Sequence, residues 1–369
     1  MKYFKRLLFL MMLFMVLTPA AAAEEEGGGI DLQSILWGHV KDNYEWHITD
    51  IGETPLIIHL PVIVHSSTGW HVFMSNEIEE EPIETGKLKG YKEAGKGTGL
   101  YIAPAGSLYE NRIVEVADDG TETRPFDISI TKSVVVLFID AILLILCVLI
   151  PARWCRRHKA DDPAPKGFVG FMNMFITYVY DDIIAPALGK EAPKYAPYLL
   201  TCFFFIFVAN VMGLMPFPPG GGNLTGNITI TFFLAVCTLL VTNFSGTKHY
   251  WKDIFWPEVP WWLKAPVPLM PVIEVFGIFT KPLALMVRLF ANMLAGHAIA
   301  IALTCIIFIM ASMGAFACGA MTIFSVLLSI FMMLLEVLVC FIQAMVFTML
   351  SAVFISMSRI HPHEEASHS

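Results

Sequence analysis

Residues 271–310 read PVIEVFGIFTKPLALMVRLFANMLAGHAIAIALTCIIFIM. The run is apolar for about 40 residues, so a continuous helix would be roughly 60 Å long at about 1.5 Å rise per residue. A bilayer's hydrocarbon core is about 30 Å thick. A second run, from Ala320 to about Met357, is nearly as long, and small residues between Gly314 and Gly319 suit the turn joining the two. Helices of this length cannot stand upright in a bilayer; they break or lie at a steep tilt. The first run carries Glu274, Lys281, Arg288, Asn292 and His297, and the second carries Glu336 and Gln343. Arginine at mid-membrane costs about 2.5–3.5 kcal/mol on insertion scales. Arg288 stands 17 residues past Pro271 and 22 before Met310, too deep for its side chain to reach the surface. Its presence there reads as function.

Helical angles sort these groups. At about 100° per residue, Glu274, Arg288 and Asn292 fall within about 40° of one another, whereas His297 points about 180° from Arg288. Glu336 and Gln343 are seven apart and share a face. Depth places Glu274 near the cytoplasmic end and His297 in the outer half, where Glu336 can approach it. Two titratable sites thus lie on opposite sides of one permanent cation. Arginine keeps its proton at any working pH, so Arg288 is no relay but can be a fixed electrostatic gate. A carboxylate passing about 4 Å away gains about 4 kcal/mol as the anion at an effective dielectric near 20. That favours ionisation about a thousandfold. A neutral acid approaching Arg288 would release its proton there. This chain has no obvious mobile carboxylate, so a partner subunit must supply it.

The rest of the chain agrees with a membrane reading. It is 56% hydrophobic and 15% charged, with mean hydropathy +0.63, against about 45–50% and 25% in soluble domains. The net charge of −8 is uneven: +3 over residues 1–23, −13 over 24–131 and +2 over 132–369. No basic face is available for phosphates, which excludes nucleic acid. No G-x-x-x-x-G-K-[ST] occurs, so nucleotide chemistry has no P-loop here. The seven cysteines all lie at or after Cys147 without a C-x-x-C pair, which favours core thiols over metal or redox chemistry.

Residues 1–23 form a signal-peptide pattern: Lys2, Lys5 and Arg6, an apolar core from Leu7 to Leu17, then Ala20 to Ala23 as a cleavage site. The alternative is an uncleaved first anchor; both deliver residues 24–131 outside the cytoplasm. That acidic segment has β-branched runs broken by Gly, Pro and Asp, which suggest a small β-rich domain. KLKGYKEAGKGTGLYIAPAG, residues 87–106, looks like loop. Its histidines, His39, His47, His59, His65 and His71, fit no metal spacing. The segment reveals no role and is expected to take no part in ion flow. Ser133 to Ile150 is the first span, and PARWCRRHK behind it marks the cytoplasmic side. Asp140 inside this span is either a functional acid or one that water reaches in the outer half. Residues 166–190 read as an interfacial amphipathic helix. Tyr195–Leu214 and Ile228–Ser245 are two further spans, and Trp251, Trp256, Trp261 and Trp262 suit an aromatic belt. The His-rich tail HPHEEASHS is a frayed end or, less simply, a metal binder. The fold class expected is an all-α polytopic membrane body. It has five transmembrane helices plus an interfacial helix, the last two spans long and strongly tilted, and a small β-rich exported N-terminal domain precedes it. Five spans place the C-terminus in the cytoplasm.

KPLALMVRLFANMLAGHAI, residues 281–299, resembles the signature of subunit a of the F-type ATP synthase membrane sector through Pro282, Leu283, Arg288, Leu289, Asn292, Ala295 and Gly296. NVMGLMP, residues 210–216, and the Glu336-to-Gln343 spacing in EVLVCFIQ are similar to the family as well. The resemblance covers about 166–357. It implies that Arg288 faces a ring of c subunits and that Glu274 serves a cytoplasmic half-channel. It also implies that Asn292 and Gln343 line the path, and that His297 and Glu336 form the acid–histidine pair of the outer half-channel, in exchanged positions. Ala291 departs from the usual glycine. The resemblance further implies a subunit b peripheral stalk and the other ATP synthase subunits as partners. It gives this chain no cofactor, no metal and no enzymatic activity of its own, and it implies a bacterial inner-membrane location with a periplasmic N-terminal domain. The ion is a proton, with sodium as the alternative. A secondary transporter would show two similar halves, which this sequence lacks. A membrane-anchored binding protein would leave Arg288 without a purpose.

Overall fold

The structure is a computed structural model, and it describes residues 42–51, 54–79, 81–83, 88–104, 106–117, 120–158, 163–214, 224–255, 269–311 and 315–359. The signal-peptide segment, His39, Trp256, Trp261, Trp262, Gly314 and the His-rich tail lie outside the described residues.

The polar N-terminal region folds as antiparallel sheets. β1 (Glu45–Ile51) pairs with β2 (Thr54–His59). β3 (Pro61–Ser66) lies between β4 (Gly69–Met74) and β9 (Phe126–Asp127). β5 (Lys92–Glu93), β6 (Leu100–Ile102), β7 (Ile113–Val116) and β8 (Glu122–Thr123) form a four-stranded sheet in that order. The period-2 pattern works as strand geometry requires: Val62, Val64 and Phe73 turn inward to meet Ala94, Leu100 and Ile113. The loop expected over 87–106 is corrected here, since β5 and β6 fall inside it. The two strands are only two and three residues long. Between them Gly95, Gly97 and Gly99 take positive φ, so the turn hides any alternation.

The β-domain runs directly into α1 (Lys132–Arg157). Asp42 Oδ1 accepts the Ser133 N–H (3.1 Å) and the Asn43 carbonyl accepts the Lys132 N–H (3.0 Å). A residue some 90 positions earlier therefore satisfies one of the donors that every helix start leaves open. Beside it, the Tyr44 hydroxyl donates to Asp127 Oδ2 at 2.6 Å. Burial pushes the Tyr44 phenol well above its usual range, and Asp127 pushes it further.

α2 (Gly167–Tyr178) continues through a π-helical stretch, Val179–Ile184, and a last turn, Ala185–Leu188. Gly189 then takes φ 52° and the chain re-enters helix as α3 (Ala192–Leu214). The expected interfacial segment is helical, and Val179, Ile183, Ile184 and Leu188 bury one face of it in the core shared with α3. α4 (Ile228–Ser245) keeps the expected bounds, with Asn227 capping the Thr229 N–H. The short α5 (Lys248–Phe255) follows. α6 (Leu269–Ala311) and α7 (Ala315–Arg359) are the two long helices. Their 43 and 45 residues give about 65 Å and 68 Å at 1.5 Å per residue. α6 runs unbroken through Pro282. Most of the expected 314–319 turn is already helix, because α7 starts at Ala315.

Among the described residues, five helical stretches are long and apolar enough to cross a membrane: Lys132–Arg157, Gly167–Leu214, Ile228–Ser245, Met270–Ile299 and Phe324–Arg359. Val40–His297 with Ile330–Ser369 form one compact unit. Ala298–Ser329, the far ends of the two long helices, belong to another, where Ser325 Oγ donates to the Leu303 carbonyl at 2.7 Å. In the first unit Phe175 of α2 meets Phe203 and Phe207 of α3 and Phe341 of α7, with ring centroids 5.6–6.1 Å apart. Arg359 closes the end of α7 with a two-pronged contact to Glu191 and a hydrogen bond to the Ser245 carbonyl (3.2 Å).

Candidate functional site

α6 buries one ridge, Pro282, Leu285, Met286, Leu289 and Met293, at the three- and four-residue spacing of a helix face. Arg288 is off that ridge and exposed. Ala284, Ala291 and Ala295 are exposed along the same side, and Leu283 and Val287 are about half exposed. Among the described residues Arg288 makes no hydrogen bond or ion pair. A guanidinium with five donors in a fixed fork thus stands alone on an apolar helix face bordered by small side chains.

Asn292, one turn on, is half-buried beside that face. Glu274, near the start of α6, is half-buried too. It lies close enough to Tyr250 of α5 to act on its phenol: burial raises Tyr250, and the Glu274 charge raises it further. Tyr250 donates to Asn243 Oδ1 at 3.3 Å. Together with Thr242, Lys281, Pro282 and Phe354, Asn243 and Tyr250 line a cavity of about 30 Å³ between α4, α5, α6 and α7, large enough to hold water. Lys281 places its ammonium 5.7 Å from the Phe354 ring centroid.

On α7, Glu336 turns its carboxyl onto the backbone of Gly296, and a Cβ at Gly296 would overlap that carboxyl. Glu336 therefore reaches the residue next to His297, and His297 is half-buried. Glu336 Oε1 is buried without a hydrogen-bond partner among the described residues. Gln343, two turns on, is half-buried beside the fully buried Ala344. So the structure brings Glu336 to the 296–297 turn and keeps Arg288 and Asn292 on one side of α6, apart from the buried ridge.

Several buried polar groups escaped the sequence reading. Thr225 Oγ1 donates to Asn210 Oδ1 at 2.5 Å, both residues fully buried. Tyr198 bonds Thr238 (3.0 Å), which bonds Ser351 (3.5 Å), crossing α3, α4 and α7. Threonine and serine are common enough in apolar helices that no local pattern marks these. Asp140, noted from the sequence, is fully buried on α1, and neither carboxyl oxygen has a partner among the described residues.

Residues 134–356 match the family model of the ATP synthase A chain. Residues 35–130 match a domain of unknown function (DUF8433). The chain is similar to ATP synthase subunit a 2 of Chlorobaculum tepidum, 40% identical over 52% of this chain and 53% of that one. It is 38% identical to subunit a of Myxococcus xanthus over 50% of this chain and 59% of that protein. To subunit a of Chlorobium phaeobacteroides it is 34% identical over 68% of this chain and 74% of that one. The chain spans a little over half the length of the first two. The matched stretch runs from the first turn of α1 to the last turn of α7 and covers more than half of the chain, with Arg288, Glu336 and Gly296 inside it, so the chain belongs to the ATP synthase A chain family.

Proposed function

We propose that this chain is the static proton-conducting subunit of an F-type ATP synthase membrane sector. Five helices cross a bacterial inner membrane, α6 and α7 at a steep tilt, and residues 167–188 lie near the cytoplasmic surface. A signal segment over residues 1–23 exports residues 24–131, and the C-terminus is cytoplasmic. Arg288 faces the carboxylates of a c-subunit ring. Glu274, beside the Tyr250 cavity, serves the cytoplasmic half-channel. His297 and Glu336 serve the outer one, and Asn292 and Gln343 line the path. Subunit b and the other synthase subunits complete the machine, and nucleotide chemistry belongs to them, so the chain is a channel component and no enzyme alone.

One observation carries this reading: Arg288, exposed on an apolar, small-residue face of α6 and without a hydrogen bond or ion pair among the described residues. The offset of the two half-channels makes each ring carboxylate pass Arg288 ionised, so an ion crosses only if the ring turns. Each charge moved through 100 mV supplies about 2.3 kcal/mol. The test is potential-driven uptake in proteoliposomes holding the membrane sector. A potassium diffusion potential of about 100 mV should drive dye-detected proton entry, independent of added sodium. A sector that holds the potential with no proton entry, or one that requires sodium, overturns the reading.

Gly296 yields a second expectation. Overpacking a tight contact costs about 1–3 kcal/mol, and here it displaces a working carboxyl. Gly296→Ala should lower ATP-driven acidification of inverted vesicles about tenfold while the complex still assembles. Acidification at the unaltered rate would show that Glu336 need not sit against Gly296.

A further inference from the structure

Trp46, on β1, is 6% exposed, yet it is not part of the β-domain's own core. It packs with Val136 of α1, with Ala209 and Met212 of α3, and with Leu224. The chain around it is held firmly. Asp42 caps Ser133 and lies 3.8 Å from Arg112, and Tyr44 donates to Asp127. The indole is therefore a wedge that β1, tied at Asp42 and Tyr44 just before it, carries into the end of the helical body.

What the wedge touches is informative. Ala209 and Met212 flank Asn210 in sequence, and Leu224 precedes Thr225. The Thr225–Asn210 hydrogen bond joins the same two segments, fully buried, and Phe207, three residues before Asn210, meets Phe341, five residues past Glu336, with ring centroids 6.3 Å apart. An aromatic ring buries a large area while losing little side-chain freedom, so it fixes the spacing of the segments it joins. With one lone pair of its oxygen taken by Thr225, Asn210 keeps a second lone pair and its amide N–H groups for other partners.

We propose that the β-domain forms the rim of the outer half-channel, with Trp46 as a positioning residue that holds the Asn210–Thr225 pair in register. This rests on the half-channel reading above. It gives residues 42–131 a part in conduction, against the expectation from their sequence that they take none.

The test uses the assembled complex in inverted vesicles and ATP-driven acidification. Trp46→Ala should lower the rate about tenfold, and Trp46→Phe should keep at least half of it. Met212→Ala, which removes the helix side of the same contact, should fall comparably. Combining it with Trp46→Ala should cost no more than either change alone, because both remove one shared contact. Trp70→Ala, on the exposed face of β4, should leave the rate unchanged. Full acidification by an assembled Trp46→Ala complex overturns the proposal. If that variant fails to assemble, Met212→Ala decides, and a full rate there overturns it too. Arg288→Ala in the same vesicles separates the two ideas. An inactive Arg288→Ala beside a normal Trp46→Ala removes only the rim; a normal Arg288→Ala removes the half-channel reading itself.

Discussion

Arg288→Ala abolishes ATP-driven acidification of inverted vesicles and leaves the complex assembled. Both halves of this expectation follow from where Arg288 stands. Its side chain is exposed and makes no hydrogen bond or ion pair among the described residues. Truncation therefore opens no cavity in the ridge of Leu285, Met286 and Leu289, and no partner group is orphaned. The cost falls on the passing carboxylate. Losing a charge about 4 Å away removes about 4 kcal/mol of preference for the anion, a factor of about a thousand. The acid then stays protonated through the gap, and ring rotation no longer forces proton release. Arg288→Lys is expected to restore only part of the rate, because a lysine keeps the charge but lacks the planar fork that meets a carboxylate with two hydrogen bonds. Normal pumping by Arg288→Ala would remove the gate.

How much of this could be read from the residues depends on the scale of the signal. Apolar runs of twenty to forty residues announce themselves, and α4 falls on its expected bounds, Ile228–Ser245. Arg288, Glu274 and Glu336 stand out because a charge inside such a run is expensive. Long-range partners are different. Nothing near Ser133 in sequence says that Asp42 will cap it, and nothing near Trp46 says that its ring will leave the sheet for α3. Gly296 carries no chemistry of its own; its meaning is the space it gives Glu336, which only the packing of α6 on α7 reveals. The short strands β5 and β6 fail for the opposite reason, since two or three residues are too few to set up an alternation.

The double exchange His297→Glu with Glu336→His should carry more protons than either single change. Glu336 rests on Gly296, one residue before His297, so each single change puts two acids or two imidazoles at one turn. Two acids repel, and one holds its proton too firmly; two imidazoles together share the same fault with the opposite charge. A positioned proton donor or acceptor contributes about 10²–10⁴-fold to a transfer step, so each single change should cut ATP-driven acidification at least tenfold. Exchange restores one acid and one base at the same meeting point. Residues in contact couple by about 0.5–3 kcal/mol, so recovery of about tenfold over the better single variant is expected. The wedge of space at Gly296 limits the recovery, because it fits a carboxyl more readily than an imidazole ring. That gives the experiment a further prediction of sign: Glu336→His should be the worse single variant, since the ring must push against Gly296, while His297→Glu leaves the carboxyl at Gly296 in place. If the double variant is no better than the worse single one, the two residues act separately and the outer path needs a different acid.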